Sequence, residues 1–430
     1  MVALRRWTAC RDLIRSAATF VVLLVVSSAL CAEPFVRADA NCDGVIDVSD
    51  GVFSLLWLFA SGVEPCCLDG ADANDDGAVD VSDASFTLGY LFRGGPAPPP
   101  PAGACGDDPT ADALGCAGAG ACAPASGDPL ITEWTVPWRN TRPRDPYVDA
   151  LGRVWFVGQL DDYAAYLEPE SGRFTRFELP AGAGPHNLIV DEHVWYAGNT
   201  AAHIGKLDPA TGAIEQFPMP DADARDPHTL VFNRDGDIWF TVQSGNSVGR
   251  LEVDSGRVDL VRMTRTGSRP YGIALDSNDR PWVVLFGTNR LATVDPATLA
   301  LEEIPLPRAG ARPRRIGVTS DDQVWYVDYA EGYLGHFDPS TRRFDERRLP
   351  AGAGARPYGM AVDDRDRVWC VETGVQPNRF VGFDPQSGEF FSDVAIPSGG
   401  GTVRHMHYER GTDSVWFGTD AGTIGRAALP

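Results

Sequence analysis

The residues with the plainest chemistry are two short runs of hard oxygen donors. Asp39-Ala40-Asn41-Cys42-Asp43-Gly44-Val45-Ile46-Asp47-Val48-Ser49-Asp50 returns 33 residues later as Asp72-Ala73-Asn74-Asp75-Asp76-Gly77-Ala78-Val79-Asp80-Val81-Ser82-Asp83. Calcium takes about six to eight oxygens from a flexible loop. Positions 1, 3, 5, 9 and 12 supply Asp39, Asn41, Asp43, Asp47 and Asp50, then Asp72, Asn74, Asp76, Asp80 and Asp83. Position 7 adds the carbonyls of Val45 and Ala78, and Gly44 and Gly77 allow the sharp turn. Each loop runs into an apolar helix, Val52 to Phe59 and Ala84 to Phe92, with Ser49 or Ser82 as the expected cap.

A second set of chemical residues is spread over the rest of the chain. His186, His228, Tyr271, Arg314 and Tyr358, with Tyr147 and His405, each stand at the start of an apolar run. The elements that position them follow from a repeat. Trp155, Trp195, Trp239, Trp282, Trp325, Trp369 and Trp416 are separated by 40, 44, 43, 43, 44 and 47 residues, the period of a propeller blade. Within one unit, Pro185 to Val190, Val194 to Tyr196, Ile204 to Leu207 and Ile214 to Phe217 read as four strands, with Asp208-Pro209-Ala210-Thr211-Gly212 as a turn. Seven units predict a mainly β chain, a seven-bladed β-propeller at 130–430. The last unit stops after Ile424-Gly425-Arg426, and Ile131 to Pro137 looks like its missing fourth strand; joining them closes the ring and protects the terminal edges.

In such a ring the first strand of each blade lines the channel and the second returns antiparallel to it. The seven residues entering the first strands therefore form a polar mouth, with Gln243, Asp328, Glu372 and Asp420 near the ends of the second strands. Such a mouth can hold an anionic or hydrogen-bonding ligand.

Three other stretches complete the organisation. Residues 1–32 carry Arg5, Arg6, Arg11 and Arg15, an apolar stretch from Ala17 to Leu30 and small residues near its end, the pattern of a secretory signal rather than a membrane span. Export to an extracytoplasmic or secreted location is expected. Residues 96–129, opening Pro96-Ala97-Pro98-Pro99-Pro100-Pro101, are too poor in large apolar side chains for a core and read as a semi-rigid spacer. Cys42, Cys66, Cys67, Cys105, Cys116 and Cys122 can pair in an oxidising compartment, Cys105 and Cys116 being placed to close a small loop, while Cys370 reads as an inert buried thiol. A formal net charge of −22 excludes nucleic acid and anionic membrane as partners.

The paired loops, their helices and their spacing over 35–95 resemble dockerin type I repeats, an EF-hand-like α-helical module in which Asp is usual at position 12. The resemblance implies calcium and attachment to a cohesin-like scaffold protein; it also suggests association with polysaccharide degradation, for which the propeller offers no convincing carboxylate pair.

The propeller resembles the streptogramin B (virginiamycin B) lyase family through units such as Gly249-Arg250-Leu251, Gly205-Lys206-Leu207 and Gly425-Arg426, the Trp-Phe/Tyr strands, and ends such as Phe217-Pro218-Met219-Pro220. That resemblance implies Mg2+-dependent opening of a cyclic depsipeptide by C–O elimination. The closest match to the lyase motif is Pro185-His186 followed by Asp226-Pro227-His228 with Gln243 after Trp239. Asp stands where the family has Glu, Gln where it has an acid, and the blades are early in the chain; at its end only His405 remains, with Asp420 as a distant substitute. The resemblance casts His228 as base, His186 as polarising or binding group, and Asp226 as the residue orienting a metal or the histidine. A non-catalytic propeller binding a small-molecule, peptide or protein ligand is the alternative.

Overall fold

A computed structural model describes residues 35–42, 46–60, 62, 64–65, 67–102, 106, 108–110, 112, 114–116 and 128–430. The expected signal segment 1–32, the ligands Asp43 and Val45 with Gly44, and Cys66, Cys105 and Cys122 lie outside the described residues. The chain divides into two compact units, 1–122 and 123–430. No helix among the described residues is long and apolar enough to cross a membrane.

The first unit pairs two helices, Val48–Ala60 and Val81–Arg93, with a single turn, Leu68–Ala71, between them. The second helix is capped by Asp80, not by the expected Ser82. Asp80 accepts from the Ser82 N–H, and the Asp83 carboxylate accepts from the Asp80 N–H, a reciprocal box. Asp47 accepts from the Ser49 N–H in the same way at 2.7 Å. A carboxylate carries the cap because it binds the helix N-terminal amides more strongly than a hydroxyl does.

The stretch expected as a spacer is in part packed into this unit. Arg37 is fully buried and reaches the Pro100 and Asp72 carbonyls and the Asp108 carboxylate, with Asp75 3.0 Å away. Phe35 pairs with Gly106, and Cys116 is bonded to Cys67 rather than to Cys105. Backbone bridges and one buried guanidinium thus replace the apolar side chains that the composition lacks. Cys370 is buried and free.

The second unit is seven four-stranded antiparallel sheets in a ring, six of them ordered along the chain from the channel outward and the seventh completed on its outer edge by the first strand of the unit. The channel strands are Pro143–Val148, Pro185–Val190, Pro227–Phe232, Pro270–Leu275, Pro313–Val318, Pro357–Val362 and Val403–Glu409. Six of them open on proline, which suits the first residue of a strand with no partner on its channel side. Strand Leu130–Thr135 pairs antiparallel with Thr423–Ala428, Thr132 facing Arg426, so the ring closes as expected. Glu133 fastens the join further, accepting from Thr423 Oγ1 at 2.6 Å and from Ser398 of the preceding blade at 2.6 Å.

The Gly-Lys/Arg units of the third strands are scaffold. Gly205, Gly249, Gly335 and Gly425 pair with Tyr196, Phe240, Tyr326 and Phe417, and a Cβ on any of them would come within about 2.3 Å of that ring. The next residue stacks on the marker tryptophan: Lys206 on Trp195, Arg250 on Trp239, Arg426 on Trp416. Four marker indoles also donate to an aspartate at the preceding turn, Trp155 to Asp149, Trp195 to Asp191, Trp282 to Asp276 and Trp369 to Asp363.

Candidate functional site at the channel mouth

Every channel strand carries a register shift just after its first residue. A bulge re-aims side chains, so each blade brings two consecutive residues to the mouth instead of one. The outer ring is Arg144, His186, His228, Tyr271, Arg314, Tyr358 and Arg404; the inner ring is Asp145, Asn187, Thr229, Gly272, Arg315, Gly359 and His405. The register corrects two expected members. Tyr147 lies deeper, stacked 4.1 Å from His407, and its place is taken by Arg144; His405 belongs to the inner ring, and Arg404 holds the outer position.

The inner ring bars the channel. Arg315 crosses it, bonding Thr229 Oγ1 at 3.1 Å and the Arg404 carbonyl at 2.7 Å, with Asp145 3.4 Å away. Asn187 donates to the same carboxylate at 3.1 Å and accepts from the Leu230 N–H at 2.9 Å. Gly272 leaves room for this arrangement: a Cβ there would sit 2.9 Å from the Arg314 carbonyl and 3.0 Å from the Arg315 Cα. Burial raises Asp145, but His405, Arg315, Arg144 and the Asn187 bond outweigh it and hold the carboxyl at about 2. Below the bar a cavity of about 390 Å3 is walled by Leu230, Ile273, Val318 and Met360.

Above the bar the rings of His186 and His228 lie 3.7 Å apart, and Tyr271 is 4.2 Å from His228. Both histidines are buried. Burial, followed by Arg144 for His186 and Arg315 for His228, pushes both well below the usual histidine range, so both are neutral at pH 7. His228 Nδ1 is bonded to Thr229 Oγ1 at 2.9 Å. Tyr271 shares a hydrogen bond with Tyr358. Burial raises the Tyr271 phenol, but Arg315, Arg144 and Arg314 bring it below its ordinary value. Arg314 donates to Tyr358 at 3.2 Å and lies 4.0 Å from the centre of the Phe286 ring and 4.6 Å from that of Tyr329.

The acids expected nearby are engaged elsewhere. Asp226 accepts from the N–H groups of Ser244, at 2.7 Å, and Gly245, at 3.1 Å, closing the loop after the second strand of its own blade. Gln243 is half-buried at the end of that strand. Asp328 is held by Arg308, Glu372 by the Ala351 N–H, and Asp420 by Arg404. Among the described residues, no three His, Cys, Asp or Glu ligand atoms of the propeller lie within 4.8 Å of one another. With guanidinium groups around two neutral histidines, this donor set does not suit Mg2+, which wants carboxylate and water oxygens.

Arg144, Asn187, Thr229, Arg315 and Arg404 were missed by sequence reasoning. A repeated Pro at the strand start could have set the register, because Pro143 aligns Arg144 with His186 and His228. A groove of about 970 Å3 lies on the opposite face between the last and first blades, lined by Arg153, Tyr166, Arg173, Trp416 and Arg426. It holds no buried histidine or tyrosine cluster, so chemistry concentrates at the mouth.

This architecture, seven blades around a plugged channel with paired histidines at one end, defines a seven-bladed β-propeller with a polar channel mouth. The chain belongs to the virginiamycin B lyase family, whose model matches residues 114–376. A streptogramin B lyase structure superposes with a TM-score of 0.64 at 25% identity, covering 70% of this chain and 98% of that one. Virginiamycin B lyase from Staphylococcus aureus gives 0.63 at 22% identity, over 70% and 99%. A catalytically inactive His-to-Ala variant of that enzyme with quinupristin gives 0.62 at 23%, over 70% and 100%. No curated protein matches the sequence.

Proposed function

We propose that the propeller binds a small organic ligand at the channel mouth and opens a C–O bond in it by elimination. The observation that carries this reading is the buried pair of neutral imidazoles, His186 and His228, 3.7 Å apart and beside Tyr271. In the tautomer whose Nδ1–H donates to Thr229, His228 keeps the Nε2 lone pair for a proton next to a carbonyl. The C–H electron pair becomes the new C=C bond, the C–O pair leaves with the departing oxygen, and Arg144 and Arg314 stabilise the negative charge that develops. His186 orients the substrate carbonyl. Incubating the purified protein with a streptogramin B type depsipeptide, with and without Mg2+, and following linearisation without mass change tests this. If the ring stays closed, the elimination reading fails and a non-catalytic ligand-binding propeller takes its place.

We propose further that the chain is exported and that the first unit is a calcium-dependent, dockerin-like tether to a cohesin-like partner. Matched contacts in the two loops support it: Asn41 and Asn74 donate to Ser49 and Ser82 at 2.9 and 3.0 Å, and Asp50 and Asp83 each accept from the position 9 amide at 2.8 Å. Burial, with Asp72 and Asp76 adding to it against the amides of Asp80 and Asn74, pushes Asp83 up to about 6. Carboxylates crowded in this way suit a divalent cation. Asp72, Asp75 and Asp112 also converge in this unit. The exposed Val48, Val52, Leu56 and Phe59 form one stripe on the first helix, a face for a protein partner. Chelating calcium is expected to lower helicity and open residues 35–95 to protease while the propeller's melting stays unchanged; a segment equally resistant with and without chelator would sink the assignment.

A further inference from the structure

We infer that the channel mouth is a carboxylate-binding site, so that the ligand of this propeller carries a planar organic carboxylate. The inference rests on the mouth being the ligand site proposed above, and it adds the charge of that ligand. The charges do not balance there. Arg144, Arg314, Arg315 and Arg404 lie around the two rings, and the acids among them are two: Asp145, shared by Arg315, Asn187 and Arg144, and Asp420, shared by Arg404 and Arg142. Arg144 is 5% exposed, and its single hydrogen bond is to Gln159 at 2.7 Å. Its Nε and Nη2 have no hydrogen-bond partner among the described residues, nor do Arg314 Nε and His186 Nδ1. Asp145 Oδ1 stands 3.7 Å from Arg144 Nε, beyond hydrogen-bond reach. Buried donors of this kind require an acceptor, and a guanidinium fork matches a carboxylate in two bonds.

The aromatic side chains give the anion a direction. Arg314 is fixed among Phe286, Tyr329 and Tyr358, so its planar group is already oriented when the ligand arrives. The neutral histidines leave the cationic character to the arginines alone.

The test uses the full chain with benzoate as probe and benzamide as its neutral isostere, read by calorimetry and by the shift in melting temperature, with inorganic phosphate as a third arm. Benzoate is expected to bind saturably, benzamide and phosphate at least about tenfold more weakly. Arg314→Gln should weaken benzoate about tenfold or more. Arg404→Gln, which removes a half-buried charge at the rim, should do so to a lesser degree and provides a second variant should the first fail to fold. Equal binding of benzoate and benzamide, tighter binding of phosphate, or benzoate affinity unchanged in either folded variant overturns the inference. If a neutral depsipeptide is turned over while benzoate does not compete with it, the carboxylate site falls and the elimination reading stands. If benzoate binds and no depsipeptide is opened, the reverse holds.

Discussion

Deleting residues 130–138 is expected to lower the melting temperature of the propeller by about 10 °C or more. The deleted stretch is the fourth strand of the last blade, and without it Thr423–Ala428 becomes an exposed edge. The loss is more than a ladder of hydrogen bonds. Ile131 and Val136 are buried, Trp134 stacks on Trp416 at 5.5 Å, and Trp138 packs edge-on against Tyr163 of the first blade at 5.1 Å. Ile131 shares a buried cluster with Val371 and Phe380 of the sixth blade, and Glu133 adds hydrogen bonds to Ser398 at the end of that blade. Removing two large buried side chains alone costs on the order of 5 kcal/mol, and at about 2 °C per kcal/mol for a domain of this size the shift is read easily by calorimetry. A deletion variant that melts where the full chain does would show that the ring does not depend on this closure. Glu133→Ala, which keeps the strand and its apolar contacts and removes the hydrogen bonds to Ser398, should fall between the two.

That closure was legible from residue spacing because it depends on counting: seven tryptophans at a blade's period, three strands at one end and an unpaired one at the other. The mouth was legible only in part. A one-residue bulge leaves no trace in an alternating pattern, since the residues on either side of it still alternate, so Tyr147 and His405 were placed where Arg144 and Arg404 stand. The inner ring was hidden for the same reason. Asp145 and Arg315 are 170 positions apart and meet because the channel is narrow, which strand periodicity does not report. In the first unit, composition suggested a free spacer where Arg37 draws Pro100 and Asp108 to itself beside the Asp72 carbonyl of the second loop. Contacts made through backbone atoms have no side-chain signature. The cap at Asp80 was ambiguous because Asp and Ser both serve as N-caps, and the reciprocal bond from Asp83 is what selects the aspartate.

His228→Ala is expected to reduce turnover by at least about 100-fold, the range that loss of a positioned general base produces. The fold should survive, because the Arg315 contacts to Thr229 and to the Arg404 carbonyl that bar the channel do not pass through the imidazole. His186→Ala should chiefly raise KM, since its role is to hold the substrate, and this split between the two variants separates a base from a mere neighbour. The pH profile carries the sharper sign. Burial, reinforced by Arg315 and Arg144 against Asp145, puts His228 well below 6.5, so the proton-accepting form persists as pH falls through 6.5 and the acid limb of kcat/KM lies below that value. The unfolded chain, with an ordinary imidazole, takes up its proton first on the way down, so the same burial makes the propeller less stable below pH 6.5 and fully stable above it. Activity per folded molecule should therefore stay level from pH 8 to 6 while the melting temperature begins to decline below 6.5. An acid limb centred at or above 6.5, or a His228→Ala variant that still opens the ring at the wild-type rate, would remove His228 from the chemistry.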